Sequence, residues 1–144
     1  FVSNTLKNAQ FVPGRARKRK VDAVLEVAER LLDHEIRLDT AEQITHRALT
    51  HRSEVRTIME QVKGIGPAQS AYFLMLLGVP GVKADTLVTD WVQRQLDGAT
   101  LSQHQIEEIV AIAAGHLGKT EIEVDHAIWR SESNRRRSQR RRIR

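Results

Sequence analysis

The sequence predicts an all-α protein. Three observations lead there: apolar residues recur at three- and four-residue spacing instead of alternating, helix-capping patterns punctuate the chain, and aromatic residues make up only 4% of it. A sheet would need period-two alternation and more β-branched and aromatic residues.

The helices can be placed in order. Residues 21–32 put Val24, Val27, Ala28 and Leu31 on one face. Thr40-Ala41-Glu42-Gln43 is a capping box opening a short helix to about Leu49. Ser53 is placed to cap the next helix, whose stripe Val55, Ile58, Met59, Val62 has helical spacing. Gly64-Ile65-Gly66 breaks it, and Pro67 suits the first turn of a following helix that runs to about Leu77 and ends at Gly78. After the loop containing Pro80 and Gly81, Asp85 begins a helix with Val88, Trp91, Val92 and Leu96 inward, stopped by Asp97-Gly98. Ser102 and Gln105 form a second capping box, with Leu101 and Ile106 as a hydrophobic staple. Ile106, Ile109, Val110 and Ala113 carry that helix into the core until Gly118. A last helix spans Glu121 to Arg130, docking through Ile122, Ile128 and Trp129. The 144 residues suit one domain, divided as a basic segment 1–20, a helical body 21–130 and an Arg-rich, disordered tail 131–144.

Charge is unevenly spread. Residues 1–20 hold six Lys or Arg and residues 135–144 hold seven Arg, with no acid in either stretch. The body 21–134 keeps ten basic and all eighteen acidic side chains, a net charge of −8. A basic face on the folded body is therefore not implied, and any grip on nucleic acid there is local. No cysteine is present, which excludes disulfides, thiolate zinc sites and cysteine-held iron–sulfur clusters. The six histidines show no ligand-like pairing, so no metal site is expected. The longest apolar run, 71–79, is too short to span a bilayer.

One stretch carries chemistry. Lys63-Gly64-Ile65-Gly66-Pro67 links two helices through glycines that let a partner approach the backbone. The amides beyond it open a helix, so unpaired N–H groups and the positive dipole end gather there, a phosphate-sized site. Asp85-Thr86 follows about one helix later.

Lys63-Gly64-Ile65-Gly66-Pro67, the apolar helix to Leu77, Gly78, Pro80 and Asp85-Thr86 together resemble the helix-hairpin-helix DNA glycosylases, the group that includes endonuclease III and the alkyl-base glycosylases. The similarity is best over 53–96 and extends to about 15–130. The resemblance implies a glycosylase-like helical bundle with a helix-hairpin-helix motif. It implies binding of double-stranded DNA through the hairpin, here Gly64, Ile65, Gly66 and Ala68, and a catalytic carboxylate at Asp85; Lys63 and Lys83 flank the hairpin and are candidate phosphate partners. Gln69, Ser70 and Tyr72 would line a pocket. A monovalent cation at the hairpin is implied by resemblance alone, and no other cofactor is expected. The Lys that bifunctional members carry is replaced by Ala68, or by Gln69 in the other alignment, so removal of a damaged or mispaired base by hydrolysis is expected without a lyase step. Family members have more helical sequence before the matched part, so the base pocket is expected either to be incomplete or to have its other half outside this chain. Localisation would be cytoplasmic at the nucleoid, or nuclear.

Each feature also has a plainer account. Gly64-Ile65-Gly66 serves as an inter-helix turn, Asp85 as an ordinary N-cap, and Lys63 and Lys83 as solvated lysines. Trp91 and Trp129 read as core anchors. The arginine tail reads as a solvated extension or as a source of salt-sensitive, sequence-independent affinity for nucleic acid. The alternatives to a glycosylase are a non-catalytic DNA-binding module and an RNA-associated or scaffold protein that binds through its basic ends.

Overall fold

The computed structural model describes residues 10–12 and 18–142. Among them are seven helices and no strand; Phe11 and Arg19 form an isolated antiparallel bridge. The helices are α1 (Lys20–Asp33), α2 (Ala41–Thr50), α3 (Arg52–Glu60), α4 (Pro67–Leu76), α5 (Thr86–Gln95), α6 (Gln103–Leu117) and α7 (Glu121–Arg142). The all-α expectation holds. The chain forms two compact units, dividing between Val79 and Pro80.

In the first unit, α3 packs against α1, α2 and α4. Its core gathers Val27, Leu31, Ile44, Ala48, Val55, Met59, Val62 and Leu74. The capping box at Thr40 forms as expected, Thr40 Oγ1 accepting from Gln43 N. Ser53 does not cap α3; His51 occupies the N-cap without a side-chain bond, because α2 ends there and α3 restarts almost at once. The basic segment 1–20 lies mostly outside the described residues, including Lys7, Arg15 and Arg17. Its described part is not merely a charged lead-in. Val12 N donates to Lys18 O at 2.9 Å and Lys20 N to Gln10 O at 2.8 Å, and this pairing seats Val12 in the core.

The second unit packs α5, α6 and α7 around Val82, Val88, Val92, Ile106, Val110 and Ile128. Asp85 caps α5, and the Ser102–Gln105 capping box opens α6, which ends at Gly118 in the left-handed conformation. Ile106 is fully buried, and Leu101 packs against the core cluster that contains it. Trp91 packs on this core, but Trp129 is 42% exposed and Leu96 44%. They are not core anchors.

The stretch expected to be a disordered tail is helical through Arg142. The inward positions of α7 are Asp125, Ile128 and Glu132, spaced three and four apart. Two of those three are acidic, and Trp129 falls one residue off the stripe. Glu132 is 1% exposed and receives Arg94, Arg135 and Arg136. The Arg135 guanidinium, and then Arg94, hold its carboxyl down to about 2. Glu132→Gln is expected to destabilise the protein by about 1–3 kcal/mol at neutral pH, since three guanidiniums lose their shared charge. The folded-state value lies below the unfolded one, so this stabilisation is present at neutral pH and lost as pH falls from about 4.5 to 2. Urea titrations at pH 7 and pH 3 check both points: the difference between the two proteins should shrink in acid.

Candidate nucleic-acid interface

The turn between α3 and α4 is tight. Val62 N donates to Met59 O, and Ile65 N to Val62 O at 2.9 Å. Gly64 has φ +97°, where L side chains are strained, and an ideal Cβ there would lie 2.4 Å from Val12 Cγ2. Gly66 differs. Its φ of −110° suits any residue, and a Cβ would meet only Gln69 Oε1 at 3.2 Å. Gly64 is required by the fold, whereas the one close neighbour at Gly66 is the end of the Gln69 side chain.

The turn is fastened from beneath. Ser70 is fully buried; its hydroxyl donates to Glu60 and accepts from Arg56 Nε at 3.2 Å. Arg56 Nη2 also donates to Pro67 O at 3.1 Å. This bridge from α3 to α4 fixes the angle at which the glycines are presented. Ser70, expected to line a pocket, is thus placed where it holds the hairpin.

Not every expected amide is available. Ile65 N is spent on Val62 O, and Gly66 N donates to Gln69 Oε1 at 3.1 Å. Among the described residues, the N–H groups of Lys63, Gly64 and Ala68 make no hydrogen bond. Gln69 is thus a cap, and its side chain was the competitor that the sequence reading missed. Lys63 is exposed, with no ion pair among the described residues. Tyr72 is 41% exposed on α4. An open cleft of about 590 Å³ lies elsewhere in this unit, bounded by Arg30, His34, Glu54 and Thr57, and Gln69, Ser70 and Tyr72 do not border it.

Lys83 and Asp85 belong to the second unit. Asp85 Oδ1 accepts from Leu87 N at 2.9 Å and Val88 N at 3.2 Å, the geometry of an N-cap. Its Oδ2 lies 3.4 Å from the Nζ of Lys83, the lysine expected on phosphate. The turn is held from below by a residue without an assigned role in the sequence reading. Asp125, 4% exposed, accepts from Lys83 N at 2.9 Å, and Asp85 N donates to Lys83 O at 2.6 Å. Burial pushes the Asp125 carboxyl up to about 6; the nearby Asp85 charge adds to this, while the Lys83 amide opposes it. Perturbed carboxyls of this kind cluster at functional sites.

No group of three or more His, Cys, Asp or Glu side chains among the described residues could hold a metal ion, and no cysteine exists for a cluster. No described helix is long and apolar enough to cross a membrane.

These features define an all-helical protein with a braced glycine turn in one unit and a carboxylate-capped helix in the other. The family described as a domain of unknown function, DUF8548, matches residues 1–133, and the chain belongs to it. No curated protein and no solved structure matches the chain.

Proposed function

We propose that this is a DNA-binding protein of the helix-hairpin-helix glycosylase type, whose glycine turn holds the sugar-phosphate backbone. One observation supports the reading: among the described residues, the amides of Lys63 and Gly64 in the turn and of Ala68 in the first turn of α4 make no hydrogen bond. Backbone amides grip phosphate without reading bases, which suits a protein that searches a duplex. The carbonyls of Lys63, Gly64 and Ile65, which accept no hydrogen bond among the described residues, are the oxygens a monovalent cation would use there.

The enzymatic half assigns Asp85 to hydrolysis of the N-glycosidic bond of a damaged or mispaired base. The target base must leave the stack, and a carboxylate stabilises the positive charge that develops on the sugar. Asp85 Oδ2 is the oxygen for that task once Lys83 is displaced. Ala68 and Gln69 offer no nucleophile for a Schiff base. The partner is double-stranded DNA, which puts the work at a nucleoid or nucleus. A non-catalytic DNA-binding module is favoured by one observation: both Asp85 oxygens already have partners within their own turn.

The test separates the two halves. Gly66→Asp keeps a good N-cap residue in a compatible conformation but puts a negative charge where phosphate would sit. It should weaken binding to an undamaged duplex about tenfold or more while leaving the unfolding transition in place. Equal affinity would end the backbone-binding proposal. Asp85→Asn also preserves the cap, and should cut formation of abasic sites on duplexes with deaminated, alkylated or oxidised bases by about 10²–10³-fold. Binding without product in the wild type would establish the non-catalytic reading.

A further inference from the structure

Helix α7 sorts its arginines by face. Arg135 and Arg136 turn inward to Glu132, Arg136 also reaches Asp90, and Arg94 reaches Glu132 from α5. Two carboxylates thus absorb three guanidiniums. Arg130, Arg137 and Arg141 are exposed and have no ion pair among the described residues. Their spacings of seven and four residues put them on one side of the helix, roughly 10 Å and 6 Å apart along its axis at about 1.5 Å per residue. From Arg130 to Arg141 the one acidic residue is Glu132, which is buried, and none is apolar.

Such a row repels itself, most directly between Arg137 and Arg141. Each guanidinium presents a planar fork suited to phosphate oxygens. We propose that the outer face of α7, through Arg130, Arg137 and Arg141, is a nucleic-acid-binding surface in its own right that grips DNA phosphates without reading bases. The regular one-sided spacing fits a repeating polyanion. The absence of apolar side chains along the row disfavours insertion at a lipid surface, which needs an apolar face. The net charge of −8 over residues 21–134 also gives the body no broad attraction for DNA, so a distinct cationic face is what would supply sequence-independent affinity. This surface does not depend on the glycine turn.

The experiment uses the full chain and a short undamaged duplex, with affinity measured from about 50 to 200 mM salt. R130Q/R137Q/R141Q should lower the steepness of log K against log salt by about 2–3, close to 0.9 for each phosphate no longer neutralised, with helicity by circular dichroism unchanged. R37Q/K119Q, which removes positive charge elsewhere, should leave the slope as it was. The same drop should appear when the triple change is made in the Gly66→Asp background, which keeps this surface distinguishable from the hairpin. An unchanged slope in the folded triple variant overturns the proposal. So does binding to phosphatidylserine vesicles that needs the three arginines while the DNA slope does not.

Discussion

Gly64→Ala is expected to destabilise the protein by about 2–4 kcal/mol, and Gly66→Ala by less than about 1 kcal/mol. Two terms add at Gly64. A residue with a Cβ at φ +97° costs about 1 kcal/mol. Forcing that Cβ to within 2.4 Å of Val12 Cγ2 adds an overpacking cost of roughly 1–3 kcal/mol, because Val12 is 6% exposed and seated in the core. At Gly66 the backbone term is absent, because φ is −110°, and the packing term is small, because the one close atom, Gln69 Oε1 at 3.2 Å, ends a flexible amide. Domains are stable by only about 5–15 kcal/mol, so the first variant should lose a large part of its urea midpoint and the second very little. Equal midpoints would mean that Val12 does not close over the turn. The same asymmetry decides how the turn can be probed: changes at Gly64 report folding, and changes at Gly66 report what approaches from outside.

Local punctuation explains what the sequence revealed. Thr40, Asp85, Ser102 and Gly118 each set a helix end through bonds within three or four residues, and Pro67 does so through its fixed φ, so no tertiary knowledge was needed. What was hidden depended on distant partners. Val12 is one apolar residue beside a basic stretch, and its place in the core follows from a pairing with Lys18 that periodicity does not encode. The length of α7 was masked because its inward stripe is built from Asp125 and Glu132, and Glu132 becomes a core residue through Arg94 on another helix. At the candidate interface the turn was visible, but the use of its donors was not. Gln69 could line a cleft or cap Gly66, and only its geometry selects the cap. Lys83 is expected on phosphate from its charge and its place near the hairpin, and its charge equally explains its pairing with Asp85.

Asp125 provides the second large effect. Its carboxyl is raised from 3.8 to about 6, so across that window the folded chain holds a proton that the unfolded chain releases. A raised carboxyl stabilises the fold below the unfolded value and loses that contribution as pH climbs through the folded one. Ionised Asp125 is therefore a cost above pH 6, and Asp125→Asn should remove it: asparagine keeps an acceptor for the Lys83 amide without the charge. Stability should be nearly equal near pH 4 and higher in the variant above pH 6, by about 1–3 kcal/mol at roughly 1.36 kcal/mol per unit. The groups acting on Asp125 are Asp85, which raises it, and His126 and Lys83, which lower it. Asp85→Asn should consequently move the Asp125 titration downward, as carbon-13 carboxyl shifts would register. Greater stability of the aspartate form above pH 6 would require a charged partner for Asp125, contrary to the burial and repulsion that set its titration. A carboxylate kept at such a cost beneath the Lys83–Asp85 turn is best understood as holding that turn's shape, since its Oδ1 and the Lys83 carbonyl together fix where the Asp85 backbone starts.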